Sequence, residues 1–472
     1  MVLANHSATR RQFLHASALA AGGCAVVTPE ILGGPNQTPP SDQFRFLQIG
    51  VGGRGRKDLA MTIQAGGTPV GLCDVDVQRA GKTYETHPSI PRYTDYRRML
   101  EELADECDAV VISTPDHSHA AQAMAAMSAG KHVYIQKPLA RTFDECERLR
   151  EAAKQTGVAT QMGNQGHAGL GLRVYREAIR SGQLGKIKEV HAWTDRPIWP
   201  QGMPAAPTPT QPPISLDWNL WLGPAAMRPF GKGYVPFAWR GWWDFGCGAL
   251  GDMGCHNMDP AVDALRLELP TSVHAKVSQA CDVTYPTCSR VNMVFPPNEA
   301  CPDGVELTWY DGRRKPWLAS IPANDKWGDP GFEPERNGCL IVGDRMSIAG
   351  GSHAKVPQVV AVEGDDADVL YQARHDFRVL IATVAATASD TDAMDHYARW
   401  IHAAKTGEHA LAGSHVDYAC GLTQIALLGC IATRFPDQEL IFDRDARQFI
   451  GNDTASSHLS FKPRDGFSID LA

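Results

Sequence analysis

The feature that most constrains this chain is a cluster of glycines between a short apolar segment and an amphipathic one. Residues 50–55 read G-V-G-G-R-G, which fits the pattern G-x-G-x-x-G, and they directly follow the apolar run 44–49. In such a loop the first glycine permits a tight turn, the second lets the backbone approach a pyrophosphate, and the third lets helix and strand pack closely. The N-terminus of the next helix offers N–H groups to the anion. The pattern predicts five cofactor-binding residues: Gly50, Gly52, Gly53, Arg54 and Gly55.

An acidic residue stands where the ribose of a bound dinucleotide is expected. Asp74 closes the next apolar run, 70–73, and lies 19 residues after Gly55. At this spacing a carboxylate accepts hydrogen bonds from the adenosine ribose hydroxyls. It also repels a 2′-phosphate, so NAD is favoured over NADP. Arg79 lies just past this strand and is able to pair with such a phosphate. We favour a solvated helix charge for Arg79 and keep NADP as the alternative.

Strand-like and helix-like segments alternate between residues 43 and 165. Apolar runs at 44–49, 70–73, 109–113, 132–135 and 158–162 alternate with helical patterns that include 96–103 and 119–129. Thr142 and Glu145 form a capping-box pattern for a further helix that ends before Gly157. Parallel strands need crossover connections. The alternation therefore predicts an α/β fold with an N-terminal Rossmann domain at 43–165, a doubly wound parallel sheet.

The composition of the chain and its pattern of predicted elements change after residue 165. Seven of the seventeen residues 197–213 are proline, which sustains neither a helix nor a central strand. Strands are predicted at 272–280 and 290–295, and helices at 392–405 and 417–433. We therefore expect residues 166–472 to form a substrate-binding α+β domain with an open mixed sheet and a proline-rich loop.

Composition excludes several classes of protein. Lys and Arg number 45 against 53 Asp and Glu, a formal charge of −8 in 472 residues, so a nucleic-acid partner is not expected. The 12 cysteines form no C-x-x-C pair, and no metal site is predicted. No run of 18 uninterrupted apolar residues predicts an integral membrane span. We expect a small-molecule substrate and a homo-oligomer.

The N-terminus has the layout of an export signal. Arg10 and Arg11 are followed by Q-F-L and by the weakly apolar, Ala-rich run 16–27. This order is typical of a twin-arginine signal, which exports proteins already folded. We expect residues 1–40 to be signal and linker, and the protein to be exported to the periplasm. A disordered basic tail is the alternative interpretation, and lipidation at Cys24 and disulfide formation stay open.

A lysine, an aspartate and a histidine form a candidate catalytic group. Lys137 follows the strand 132–135, at the carboxyl end of the sheet where open α/β folds bind ligands. Asp252 and His256 are four residues apart and share a face if a helix runs through them. A carboxylate, an imidazole and an ammonium group together suit proton removal from a hydroxyl while its hydride leaves. Alone, an Asp/His pair at this spacing is more often a helix cap or a core pair.

Four motifs in order resemble the Gfo/Idh/MocA oxidoreductases. They are the strand–glycine loop–helix of residues 44–65, T-P-D-H-S-H at 114–119, Q-K-P at 136–138 and D-x-x-x-H at 252–256, and the resemblance spans about 43–445. It implies that Lys137, Asp252 and His256 are the catalytic residues, with His256 as acid/base. It also implies further cofactor-binding residues: Thr114, Pro115, His119, Gln136, Lys137 and Asn164. The family's E-K-P glutamate is Gln136 here, which removes a charge near the lysine.

The resemblance implies an oxidoreductase that transfers hydride between NAD(P) and a carbohydrate or polyol hydroxyl. An NAD-dependent glycosidase or lyase, which oxidises its sugar transiently and eliminates a leaving group, is the alternative; a non-catalytic binding protein is the third. An exported space has no free nicotinamide pool, so we expect tightly bound cofactor. The sugar and the carbon oxidised are not fixed by the sequence. A concentration of tryptophans predicts a sugar-binding cleft, with core packing as the alternative. The predicted substrate-binding residues are Trp218, Trp239, Arg240, Trp242 and Trp243.

Overall fold

The computed structural model describes residues 43–279, 281–318 and 331–471. Its N-terminal half is built on one parallel sheet. Its six strands run in the order β3-β2-β1-β4-β5-β6, so the predicted doubly wound sheet is confirmed. The predicted export signal lies outside the described residues. The elements are β1 (Phe44–Ile49), α1 (Arg54–Gln64), β2 (Gly67–Cys73), α2 (Val77–Thr86), β3 (Arg92–Tyr93), α3 (Tyr96–Leu103), β4 (Ala109–Ile112), α4 (His119–Ser128), β5 (His132–Ile135), α5 (Phe143–Thr156) and β6 (Thr160–Met162).

Local sequence signals set the ends of these elements. Thr142 accepts from the N–H of Glu145 while the Glu145 carboxylate accepts from the N–H of Thr142, so the predicted capping box starts α5. Gly157 ends the helix in the left-handed region, with φ 65°, which glycine adopts without a Cβ clash. β4 is buried at every position, as a strand covered by helices on both faces must be.

The C-terminal half contains a mixed sheet, as predicted. Its nine strands run in the order β13-β12-β11-β7-β10-β9-β8-β14-β15; β7 and β10 are parallel, and their other neighbours are antiparallel. The strands are β7 (Ile187–Trp193), β8 (Ser272–Ser278), β9 (Cys288–Phe295), β10 (Val305–Tyr310), β11 (Gly338–Gly343), β12 (Met346–Gly351), β13 (Gln358–Val362), β14 (Glu439–Asp443) and β15 (Gln448–Phe449).

The described part of the C-terminal half also contains α-helices, some of which pack against this sheet. They are α6 (Leu170–Arg180), α7 (Trp218–Leu222), α8 (Gly248–Asn257), α9 (Asp259–Ala264), α10 (Ala367–Ala386), α11 (Asp390–Ala393), α12 (His396–Thr406), α13 (Val416–Ala432) and α14 (Asp453–Ser457). The almost wholly buried α13 packs against α5, α8 and β8. The single helix predicted at 392–405 is instead α11 and α12, because Asp395 caps a new helix by accepting from the N–H groups of Tyr397 and Ala398.

One C-terminal helix packs into the core of the N-terminal sheet. Tyr397, Trp400 and Ile401 of α12 lie in one buried cluster with Phe44 and Tyr134 of β1 and β5. The Tyr134 and Tyr397 rings stack with centroids 4.9 Å apart. These contacts bring Tyr397, from the C-terminal half of the chain, beside Arg54 of the glycine loop.

Within the described ranges the structure contains no helix long and apolar enough to cross a membrane. The same ranges contain no group of three or more His, Cys, Asp or Glu side chains arranged to hold a metal ion. The described cysteines are free thiols.

Candidate active site

A deep cleft of about 480 Å³ opens at the carboxyl ends of the N-terminal strands. One wall is formed by the glycine loop and the segments that follow β2, β4 and β5, and the other by residues of the C-terminal half. Twelve of the predicted site residues line it: Gly50, Gly52, Gly53, Arg54, Asp74, Thr114, Pro115, Gln136, Lys137, Trp239, Arg240 and His256.

The glycine loop leaves no room for side chains at two of its positions. A Cβ built on Gly50 would lie 2.6 Å from the carbonyl oxygen of Ser113, and one on Gly55 would lie 1.9 Å from that of Gly50. Gly50 also has φ 78°, in the left-handed region. Both glycines are therefore required by the close packing of the loop on the neighbouring backbone. Gly50, Gly52 and Gly53 line the cleft at the start of α1, where N–H groups attract an anion.

Asp74 lies beside this loop at the end of β2. One carboxylate oxygen accepts hydrogen bonds from the N–H groups of Val51 and Gly52, each at 3.0 Å, and the other accepts from Asp76. Burial raises the pKa of Asp74, against the opposing effect of these hydrogen bonds. The exposed Arg79 lies along the same loop, since a Cβ on Gly52 would lie 2.6 Å from its Cγ. Arg79 thus stands where it is able to meet a 2′-phosphate, and the NADP alternative stays open.

Lys137 and Asp252 meet across the cleft. The Lys137 ammonium donates to the Asp252 carboxylate at 3.0 Å and to its backbone carbonyl at 2.6 Å. Arg240 donates to the same carboxylate oxygen at 3.1 Å, and Arg196 lies 3.7 Å from the other. Burial alone would raise the pKa of Asp252, but Lys137 and Arg240 outweigh it and lower the pKa to about 2. Asp252 is therefore a fixed carboxylate that holds a cation on the floor of the cleft.

His256 lies on the same helix, α8, with an unpaired nitrogen. Its side chain is 4% exposed, and its Nδ1 has no hydrogen-bond partner among the described residues. Burial, with the nearby His353 and Lys137, lowers the pKa of His256 well below its ordinary value. His353, which sequence reasoning did not identify, stacks on His256 with ring centroids 3.9 Å apart and also lines the cleft.

Two predicted cofactor-binding residues lie behind the cleft wall. His119 is fully buried between two carbonyl groups, with Nδ1 2.8 Å from Pro138 O and Nε2 2.9 Å from Thr114 O. It lies between the backbone just after Lys137 and the backbone that follows β4. Asn164 is also fully buried, and its side-chain amide has no partner among the described residues.

Three predicted substrate-binding tryptophans lie away from the cleft. The indole N–H groups of Trp218, Trp242 and Trp243 donate to the backbone carbonyls of Arg228, Gly233 and Cys281, so these rings are held in packed surroundings. Trp239 differs: the Arg240 guanidinium lies 4.2 Å from its ring centroid, and both line the cleft. Trp221 and Phe237, which were not predicted, line it too.

A buried carboxylate ties the glycine loop to Q-K-P. Asp58 of α1 has no exposed surface and accepts from Ser113 at 2.7 Å, Gln136 at 3.0 Å and Tyr397 at 2.6 Å, besides its ion pair with Arg54 at 2.8 Å. Sequence reasoning missed Asp58 because three of its four partners, Ser113, Gln136 and Tyr397, come from distant segments.

Comparison with known proteins matches both halves of the chain. A family model described as "Oxidoreductase family, NAD-binding Rossmann fold" matches residues 44–164, and "Oxidoreductase family, C-terminal alpha/beta domain" matches residues 186–296. Both models belong to the same family, and they occur in the order of its two domains. The chain belongs to the Gfo/Idh/MocA oxidoreductase family.

Curated relatives of this Gfo/Idh/MocA protein match over part of their length. A "Glycosyl hydrolase family 109 protein" of Shewanella pealeana is 28% identical over 200 residues, 38% of this chain and 44% of the relative. A "1,5-anhydro-D-fructose reductase" of Ensifer adhaerens is 32% identical over 145 residues, 30% of this chain and 42% of the relative. The matched region thus spans less than half the length of each of these relatives.

Solved structures share the fold over most of the chain. An inositol dehydrogenase homolog of Azotobacter vinelandii, complexed with NADH and myo-inositol, has a TM-score of 0.52 and 17% identity, covering 84% of this chain and 97% of that one. The WlbA dehydrogenase of Chromobacterium violaceum, in complex with NADH and UDP-GlcNAcA, has a TM-score of 0.54 and 15% identity, covering 85% of this chain and 97% of that one. At these identities the likeness establishes the fold.

The cleft of this Gfo/Idh/MocA oxidoreductase fits NAD. The glycine loop lines the cleft at the start of α1, and Asp74, which accepts from the loop N–H groups, stands at the ribose position expected of the NAD-binding Rossmann domain. Two segments from outside that domain enclose the same end of the cleft. Ser215 donates to Asp76 at 3.0 Å, which brings Leu216 over the cleft, and Phe467 of the C-terminal tail is held there under the Arg97 guanidinium at 4.5 Å.

Proposed function

We propose that this NAD-binding oxidoreductase transfers hydride between NAD and a hydroxyl-bearing carbon of a carbohydrate or polyol. The observation that carries the proposal is the group formed by Lys137, Asp252 and His256 at the inner end of a cleft that begins at the glycine loop. Bound NAD supplies the hydride acceptor. The chain itself must hold the reacting hydroxyl and move its proton.

The residues around Asp252 suit a hydroxyl that becomes a carbonyl. Lys137 and Arg240 keep Asp252 ionised, and Asp252 in turn fixes the Lys137 ammonium in the cleft. An ammonium donor stabilises the negative charge that develops on oxygen as the C–H bond breaks. Burial keeps the imidazole of His256 neutral, and a second imidazole, that of His353, stacks on it and lines the cleft. A neutral imidazole at this end of the cleft is able to accept the hydroxyl proton.

We further propose that the cofactor does not exchange during turnover. Leu216, in the arm 214–217 that follows the proline-rich loop, and Phe467 both line the cleft. The arm is fixed to the Rossmann domain by backbone hydrogen bonds from Val77 to Ser215 and from Asp217 to Val75. Release of a dinucleotide past these segments would require several hydrogen bonds to break. Resident cofactor also agrees with export by the Arg10-Arg11 signal, which we propose directs the protein to the periplasm.

The proposal is tested with purified protein and its bound nucleotide. Free sugars, polyols and p-nitrophenyl glycosides are added one at a time while absorbance at 340 nm and released nitrophenol are both followed. We expect at least one free sugar or polyol to reduce the bound nucleotide in the wild type, and Lys137→Met to retain nucleotide but lose this reduction. No reduction with any compound would contradict the proposal.

A second candidate, cleavage of a glycoside by transient oxidation, is favoured by one specific observation. Relatives named "Glycosyl hydrolase family 109 protein" match this chain, one of them at 30% identity over 159 residues. The same proton-transfer group serves both reactions. Release of nitrophenol without net accumulation of NADH would favour this second candidate over the first.

A further inference from the structure

A chain of hydrogen bonds fixes the tautomer of the neutral His353 ring. The backbone carbonyl of Trp193 can only accept, so the Asn257 atom 2.7 Å from it is the amide nitrogen, and the Asn257 oxygen points the other way. That oxygen lies 2.7 Å from Ser352 Oγ and must accept its proton. Ser352 Oγ, having donated its only proton, accepts from His353 Nδ1 at 2.7 Å. In the neutral ring the lone pair is therefore on Nε2.

This nitrogen is available to the cleft. His353 lines the cleft, and in the described part of the chain its Nε2 has no hydrogen-bond partner, whereas Nδ1 is engaged. The neighbouring His256 differs, because its buried Nδ1 has no partner among the described residues to fix its tautomer. Of the two stacked rings, only His353 has its proton-accepting nitrogen set by the surrounding protein.

The backbone at His353 is also unusual. Its φ is 62°, in the left-handed region that few residues other than glycine adopt, although histidine is among those enriched there. Gly166 packs directly beneath it, since a Cβ on Gly166 would lie 2.2 Å from the His353 carbonyl oxygen. Residues held in such conformations cluster at functional sites. The conformation keeps the ring over His256 and at the cleft.

Charges near His353 favour its neutral form. Burial lowers the pKa of His353 most, and the positive charges of Lys137 and Arg54 lower it further, while the negative charge of Asp252 opposes them. A neutral imidazole with a defined lone pair is the form needed to accept a proton.

We propose that His353 is a second catalytic residue, whose Nε2 accepts the proton of the substrate hydroxyl; this rests on the oxidoreductase function proposed above. In the oxidation direction the O–H bond breaks and an N–H bond forms at Nε2. The two electrons of the adjacent C–H bond leave as hydride to NAD⁺, giving NADH and a carbonyl carbon. In the reduction direction the protonated ring returns the proton. His256, stacked beneath, supports the ring's orientation.

The first test reads the nitrogen directly and needs no substrate. Protein carrying ¹⁵N-histidine and its bound NAD is studied by long-range ¹H–¹⁵N correlation, and the His353 signals are assigned by their absence in His353→Gln. We expect a protonated Nδ1 and an unprotonated Nε2. Ser352→Ala, which removes the acceptor for Nδ1, should shift His353 toward the other tautomer. A protonated Nε2 in the wild type would overturn the proposal.

The second test is kinetic and uses a sugar or polyol that the wild type turns over. His353→Gln should lower kcat by about 10²- to 10⁴-fold without loss of bound nucleotide, and Ser352→Ala should lower kcat less, with KM unchanged. His375→Gln, on the exposed face of α10, is the matched control and should leave both unchanged. Near-normal kcat in His353→Gln would overturn the proposal. If no compound is turned over, the proposed function fails, while the nitrogen spectrum still decides the state of His353.

Discussion

The side-chain amide of Gln136 donates a hydrogen bond of 3.0 Å to the carboxylate of Asp58, which has no exposed surface. The relationship accounts for the departure of this chain from the E-K-P sequence of its family. A glutamate at position 136 would face a second buried carboxylate, whereas the amide offers it a donor. Asp58 carries the negative charge in this part of the site, and it forms an ion pair with Arg54.

We therefore predict that Gln136→Glu destabilises the protein, although it restores the family sequence. Two carboxylates about 3 Å apart cannot both be ionised without strong repulsion, and the hydrogen bond from the amide is lost as well. We expect the midpoint of urea unfolding to fall by an amount equivalent to about 1–3 kcal/mol. The measurement is equilibrium unfolding at pH 7.

The double variant Gln136→Glu with Asp58→Asn is the control for this prediction. It exchanges the acid and the amide, so one carboxylate again faces one donor. We expect it to recover part of the stability that Gln136→Glu loses. A Gln136→Glu protein as stable as the wild type would contradict the role given to Asp58.

Asp74→Ala should weaken NAD binding and reduce the preference for NAD over NADP. Hydrogen bonds to a charged group contribute about 1.5–3 kcal/mol, so we expect the Kd for NAD to rise roughly 10- to 100-fold. The measurement is isothermal titration of nucleotide-free protein with NAD and with NADP. Arg79→Ala serves as the matched variant and should lower the affinity for NADP alone. Unchanged affinities in Asp74→Ala would count against its assignment to the ribose.

His256→Ala should abolish most turnover while leaving bound nucleotide in place. Its ring stacks on His353, the proposed proton acceptor, so its loss affects proton transfer, whereas the glycine loop is unchanged. Without this ring the proposed proton acceptor is no longer held in place, and loss of acid/base catalysis costs about 10²- to 10⁴-fold in rate. Turnover and nucleotide content are measured on the same preparation, and near-normal turnover would remove His256 from the mechanism.

Because of Asp116, the free energy of unfolding should fall as the pH rises from about 4 to about 7. Burial raises the pKa of Asp116 to about 7, although Arg240 and Lys137 oppose it, whereas an unfolded aspartate has a pKa near 3.9. Between these values the folded protein binds more protons than the unfolded chain, so its stability decreases with pH. Below pH 4 the contribution is fully present; it is lost by about pH 7.

Asp116→Asn tests this directly, because the amide keeps an acceptor for the Cys247 N–H and cannot ionise. Relative to the wild type it should gain stability at pH 8, by up to about 4 kcal/mol for three pKa units, and gain nothing at pH 4. Thermal unfolding is measured at both values, with the surface variant Asp105→Asn as control. An equal effect of Asp116→Asn at the two pH values would refute the argument.

Local patterns in the sequence were enough to predict the N-terminal sheet. The glycine loop after β1, the capping box at Thr142 and the end of α5 at Gly157 each depend on residues a few positions apart, and the structure has all three. The i,i+4 spacing of Asp252 and His256 likewise predicted their shared helix, α8. Such features follow from backbone geometry that neighbouring residues determine.

Contacts between distant segments could not be predicted in this way. His353 reaches the cleft from a turn after β12, and Tyr397 reaches Asp58 from a helix more than 300 residues along the chain. The concentration of tryptophans indicated an aromatic region but not which rings face the cleft, because an indole that packs in a core and one that lines a cleft have the same local sequence. Only the packing of Trp239 beside Arg240 separates it from Trp242.

Hydride transfer between the substrate carbon and resident NAD is the central claim, and isotope transfer measures it most directly. Protein purified with its bound nucleotide is mixed with sugars or polyols deuterated at every carbon-bound position, quenched within one turnover, and the released nucleotide is weighed by mass spectrometry. We predict about one nucleotide per chain, and NADH one deuterium heavier than the unlabelled control. A protein that purifies empty, or that converts the deuterated substrate while its nucleotide gains no deuterium, would contradict the account.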